Sequence, residues 1–220
     1  MNVLYVGLAR TIWLFDLNLL NPTGLSLQVV IDEIGKKYRF AKAPKNLLDV
    51  DEQKGLSFKA GTFLSSKGVP MLINFTIHTD GVVADTMSST DVSTEFLVEL
   101  TSWINQDYRL VLPRDVKKAY VSQMDVECET PLTNLNPRLI EFLKSIESRV
   151  KPSDGKFRPF DVAGLSFWTE DATKLGAPAV FKFERKFQAP FSANHYFSQA
   201  PIETREHLDL LNEFEHLLKS

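Results

Sequence analysis

GLSFKAGTFLSSKGVPMLINFTIHTDGVVADTMS, residues 55–88, holds three runs rich in strand formers: Gly55 to Leu64, Val69 to His78 and Gly81 to Ser88. Asp80-Gly81 is the strongest hairpin signal in the chain, since a type I′ turn needs positive φ at both central positions. Along the middle run Met71, Ile73, Phe75 and Ile77 point one way, and Leu72, Asn74, Thr76 and His78 the other. That alternation predicts an antiparallel sheet with one face covered by helices and one face polar.

Upstream, Met1 to Leu20 reads as a strand region: Arg10 and Asp16 interrupt it, and it has neither a basic n-region nor a cleavage site. Within it Thr11 to Leu19 carries apolar residues on both parities, at Ile12, Trp13, Leu14 and Phe15, which predicts a strand covered on both faces. Asn21-Pro22 introduces a helix from Leu25 to Tyr38, striped by Leu27, Val30, Ile31, Ile34 and Tyr38. A polar loop follows, through Ala43-Pro44 and Asp49 to Lys54. Downstream, Asp91 is placed to cap a helix reaching Tyr108, with Val92, Phe96, Leu97, Leu100, Trp103 and Ile104 inward.

The second half runs through the same series. Lys117 to Glu127 is extended, and Asn136-Pro137 opens a helix with the stripe Leu139, Ile140, Leu143, Ile146 and Val150. Extended runs at Phe160 to Thr169, Ala179 to Gln188 and Asn194 to Gln199 precede a helix begun by Pro201, with Leu208, Leu211, Phe214, Leu217 and Leu218 on its apolar side. Leu20-Asn21-Pro22 matches Leu135-Asn136-Pro137, and Gly55-Leu56-Ser57-Phe58 matches Gly164-Leu165-Ser166-Phe167, each pair at equivalent points of the two series. The shift in offset between the matches fits a longer loop in the first half, where length costs little free energy. The expected fold is therefore α+β: two tandem β-α-β-β-β-α units, residues 1–110 and 111–220, pseudo-duplicated and in one compact body, with helices on one face of an antiparallel sheet. In topology, a strand carrying Gly-Leu-x-Phe followed by a hairpin and a helix resembles the doubled saddle of TATA-box-binding proteins, and also the doubled modules of small-molecule-binding GyrI-like domains. Either resemblance implies a fold and no functional residue. A groove-opening saddle needs basic residues and apolar wedges on its open face, whereas this one carries Glu184 and His78.

Composition narrows function. With 220 residues, 44% of them apolar, the chain can bury a core without staples. A net charge of -3 lacks the basic excess that phosphate contacts demand, so nucleic acid is a minor alternative. Cys128, the single cysteine, excludes an intrachain disulfide and a thiolate metal cluster and favours a reducing, cytoplasmic setting. No stretch has the roughly 20 apolar residues of a membrane span.

Catalytic signals are thin. His78, Asp80 and Asp85 surround one hairpin and form a minor candidate for a metal-dependent enzyme, but no second histidine is near, and no metal or other cofactor is expected. Ser88, Ser89 and Thr90 have the composition of a turn and cap. Glu213-x-x-His216 lacks the partner motif of a di-iron site, and with Glu203, Glu206, His207 and Asp209 it reads as a solvated face. Two flanking glutamates should raise the Cys128 thiol pKa. Lys36, Lys37, Arg39, Lys42 and Lys45 suit the C-terminal end of the first helix. Gly61, Gly68 and Gly81 open no helix, so no phosphate loop is present.

Two surfaces remain. One is the polar sheet face, with Asn74, Thr76 and His78 in the first unit and Lys182, Glu184 and Lys186 opposite Phe181, Phe183 and Phe187 in the second. The other is an aromatic patch of Phe187, Phe191, Tyr196 and Phe197 around a Pro-containing turn. The absence of catalytic motifs leans the expectation away from an enzyme and toward a protein-protein interaction or assembly component, with a protein partner or self-association. The alternative is a small-molecule module in the cleft between the units.

Overall fold

The structure, a computed structural model, describes residues 1–20, 26–45, 55–170 and 178–219. It divides into an N-terminal unit, Val6–Ser122 with Pro201–Arg205, and a C-terminal unit, Met1–Tyr5, Gln123–Ala200 and Glu206–Ser220. The described elements are β1 (Asn2–Leu14), α1 (Leu27–Lys37), β2 (Leu56–Leu64), β3 (Pro70–His78), β4 (Gly81–Thr86), α2 (Thr90–Tyr108), β5 (Lys117–Glu127), α3 (Arg138–Arg149), β6 (Gly164–Phe167), β7 (Phe181–Arg185), β8 (His195–Ala200) and α4 (Thr204–Lys219). The class is α+β, and the β-α-β-β-β-α order occurs twice. Short 3-10 turns, Leu17–Leu20 and Leu132–Leu135, precede α1 and α3 at corresponding points. Asn21-Pro22 and most of the polar loop lie outside the described residues.

In the N-terminal unit the strands run antiparallel in the order β2-β3-β4-β1. β1 begins at Asn2 rather than Thr11, and its burial alternates: Ala9, Thr11 and Trp13 are buried, while Ile12 and Leu14 are half-buried. The expectation of a strand covered on both faces therefore fails. Both helices of this unit pack on one side, so only one parity meets them. Val30, Ile31 and Ile34 of α1 join Phe96, Leu97 and Leu100 of α2 against Trp13, Phe58, Ile73 and Phe75. Phe96 sits at the centre, its ring 4.9 Å from Tyr38 and 5.6 Å from both Phe63 and Phe75. Each such pair adds about 1 kcal/mol beyond area burial.

The β3–β4 hairpin differs from a type I′ turn. His78 pairs with Gly81, so Thr79 and Asp80 are the turn residues, and neither has positive φ. Gly81 is needed for a different reason: a Cβ there would lie 2.1 Å from the Trp13 carbonyl oxygen, where the end of β1 passes. In β2 the register shifts between Phe58 and Gly61, where a Cβ on Gly61 would lie 2.4 Å from the Phe40 ring. The N-cap of α2 is Ser89, which accepts from the Val92 amide at 3.4 Å, and Asp91 falls in the first turn, where its charge complements the helix dipole.

In the C-terminal unit the strand order is β5-β8-β7-β6. Among the described residues its core cluster has eight buried hydrophobic residues, against 18 in that of the N-terminal unit. Phe183 stacks on Tyr196 at 4.5 Å and meets Phe214 of α4 at 5.1 Å. α3 starts one residue later than Asn136 at N-cap and Pro137 at N1 would place it: Pro137 is the N-cap, with no side-chain cap bond, and Asn136 accepts from the Arg138 amide at 3.1 Å. Its predicted stripe, however, covers no core: α3 has no buried residue and none packed against the cluster. Of the two α-helices described in this unit, α4 is the one that contributes to the core, with Leu132 added from the 3-10 turn before α3.

Candidate interaction surface

The residues of the polar sheet face are largely occupied with local structure. Asn74 Oδ1 accepts from the Ala60 amide at 2.9 Å, pinning the bulge, and Thr76 lies 3.4 Å from the Ser57 hydroxyl opposite it. Lys186 forms an ion pair with Asp125 and donates to the Tyr5 hydroxyl at 3.3 Å. The Lys182 carbonyl accepts from Ser198 at 3.0 Å. Lys182 and Glu184 are partly exposed, and His78 is half-buried at the end of β3.

His78, Asp80 and Asp85 form no cluster. The Asp85 carboxylate takes a two-bonded clamp from Arg10, its partner on β1, at 2.7 and 2.9 Å. Among the described residues, no group of three or more His, Cys, Asp or Glu side chains converges. Cys128 is buried, and its thiol is pushed up to about 12, first by burial and then by Glu215. That corrects the expected cause, the sequence neighbours Glu127 and Glu129, whose chains lie more in solvent. Of the basic cluster, Lys36 pairs with Glu33 at 2.7 Å and Lys37 with Glu99 at 3.1 Å.

The last helix departs from a wholly solvated polar face. Glu206, Asp209, Glu213 and His216 are exposed, but His207 and Glu215 are buried. His207 Nε2 stands 2.8 Å from Ser198 Oγ, and that hydroxyl donates to the Lys182 carbonyl, so the ring donates to the serine. Burial pushes its pKa down to about 4. With its proton already committed and no solvent access, the Ser198–His207 pair braces β8 against α4 and is unsuited to nucleophilic attack. The signal was available in the sequence: 207, 211, 214 and 218 share one helical face.

The aromatic patch divides. Phe187 is 87% exposed, Phe191 is exposed and Phe197 is half-buried, but Tyr196 is fully buried in the core. β8 turns Tyr196, Ser198 and Ala200 inward, so Tyr196 is withdrawn from the patch. Phe187 lies beyond the end of β7, where the apolar parity of that strand no longer places it on the core. Arg185, ion-paired with Asp161, sits 5.0 Å from the Phe191 ring and donates to the Phe191 carbonyl at 3.1 Å, which fixes the turn.

A wider set escaped the sequence reading. All seven exposed Phe and Trp side chains among the described residues, Phe142, Phe157, Phe160, Phe167, Trp168, Phe187 and Phe191, belong to the C-terminal unit. Phe142 projects from α3 at 62% exposure. The Phe160 amide donates to Glu147 at 2.9 Å, tying the 157–163 segment to α3. Phe167 ends β6, the outermost strand of its set, and Trp168 follows it. No helix is long and apolar enough to cross a membrane among the described residues.

No family model matches the sequence, and no curated protein matches it. A solved structure, "Methanococcus jannaschii TBP", aligns with 99% of this chain and 97% of its own at 12% identity, with a TM-score of 0.43. The α+β assignment rests on the strand pairings above, and no residue role is taken from that likeness.

Proposed function

We propose that the chain is a non-enzymatic assembly component whose C-terminal unit binds a protein partner through its exposed aromatic surface. One observation carries this reading: every exposed Phe and Trp among the described residues lies in the unit with the smaller core. Of the apolar stripe of α3, Leu139, Leu143 and Ile146 are half-buried and no residue is buried. The N-terminal unit exposes aliphatic side chains such as Leu64, Leu72 and Met87, so what sets the C-terminal unit apart is that its exposed apolar residues include every exposed Phe and Trp described. Aromatic side chains are also the type enriched in interface centres. Burying one such ring is worth roughly 2 kcal/mol, so several of them together offset the cost of association.

The test is affinity capture from cells that make the protein, using the full chain and a Phe142→Glu/Trp168→Glu variant. Both positions are solvent-exposed, so the variant folds. The reading expects a protein recovered in near-stoichiometric amount with the unaltered chain and depleted at least tenfold with the variant. Equal recovery with both chains, or recovery of nothing, would count against it.

A further inference from the structure

The N-terminal unit contains a cavity of about 650 Å³ that the interaction surface does not involve. Its walls are largely apolar, with Ile34 from α1, Leu100 from α2 and Phe75 from β3 among the lining residues. An opening of this size is a ligand-scale space. The polar groups are confined to one end. His78, Thr79 and Asp80, at the β3–β4 turn, line it there, and Thr79 and Asp80 are exposed to solvent. The one other polar side chain on the described wall, Thr101, already donates to the Leu97 carbonyl at 2.7 Å.

We propose that this cavity binds a lipophilic small molecule whose polar end is a hydrogen-bond donor, an alcohol or an amine. Size and wall chemistry select the apolar body. Charge selects the head: the lining holds one carboxylate, Asp80, and no lysine or arginine among its described residues. A carboxylate-headed ligand would set its charge beside Asp80 with no lysine or arginine among the described lining residues to offset it, whereas a hydroxyl can donate to that carboxylate and an ammonium can pair with it. The Thr79 and Asp80 carbonyls are already engaged by the Leu17 and Phe15 amides at 3.1 and 3.0 Å, which holds the turn backbone in place and leaves the carboxylate as the acceptor on Asp80.

The experiment is calorimetric titration of the full chain with decanol, decylamine and decanoate, which share a tail and differ in head, each below its micelle concentration. Decanol and decylamine are expected to bind, and decanoate to bind roughly tenfold more weakly or worse. Asp80→Asn, on the exposed turn, should narrow the gap between decylamine and decanoate, and Val30→Phe, which fills the cavity from α1, should weaken all three. The proposal is overturned if none of the three binds, if decanoate binds as well as the other two, or if Asp80→Asn leaves the preference unchanged. Should Val30→Phe fail to fold, the Asp80→Asn comparison still decides. Capture of a protein partner is read on the other unit, so the two proposals fail independently.

Discussion

His207 and Cys128 show how burial sets the chemistry of single side chains here. The folded state holds the His207 ring neutral, with its pKa near 4 against 6.5 in the unfolded chain. Below pH 6.5 the unfolded chain therefore takes up a proton that the folded chain refuses, so this contribution to stability is complete above that pH and declines as pH falls toward 4. The whole decline is about 3 kcal/mol. Urea unfolding of the unaltered chain should lose stability over that window, and His207→Gln, which keeps a donor for Ser198, should flatten the profile there. An unchanged slope would refute the assignment. Cys128, its thiol pushed up to about 12 by burial, should react with a thiol reagent at neutral pH only as fast as the fold opens. Labelling without denaturant at the rate of a free thiol would contradict the burial.

Among the elements, α2 and α4 begin with one shared device. The Thr90 amide donates to Thr204 Oγ1 at 3.0 Å, and the Thr204 amide donates to Thr90 Oγ1 at 2.9 Å, both within the N-terminal unit and both buried. Each threonine satisfies a terminal amide of the other helix. Thr90→Ala and Thr204→Ala should each cost about 1 kcal/mol, and the double variant should cost measurably less than their sum, since the two bonds share partners. Strict additivity in thermal unfolding would show the bonds to be independent. Elements were the most legible level of the sequence: β5 runs from Lys117 to Glu127 as read, and β2, β3 and β4 lie inside the three quoted runs. What periodicity could not say was what covers a stripe. The spacing of Leu139, Ile140, Leu143 and Ile146 fixed a helix and its apolar side, but the side faces no core. Likewise Asp80-Gly81 marked a turn, while the approach of β1 to Gly81, a long-range fact, decided which residues occupy it.

On the scale of the whole molecule, the two halves share an order of elements and differ in how well each encloses its own core. Among the described residues, the first gathers 18 buried hydrophobic residues in its core cluster and has a ligand-sized cavity beside them; the second gathers eight and leaves seven Phe and Trp side chains in water. Neither the cavity nor the exposed surface was readable beforehand, because both depend on distances between elements far apart in sequence, and alternation assigns a residue to a face without saying whether that face is covered. Phe187 and Tyr196, grouped together in sequence, illustrate it: one is the most exposed aromatic described and the other is fully buried. The central claim is that the aromatic surface of the C-terminal unit is completed by another protein chain. Light scattering on material purified under native conditions tests it most directly. The unaltered 25.0 kDa chain should elute at a mass that includes a partner or a second copy, and Phe142→Glu/Trp168→Glu at the mass of one chain. A single-chain mass for both, with no protein accompanying either, would contradict the account.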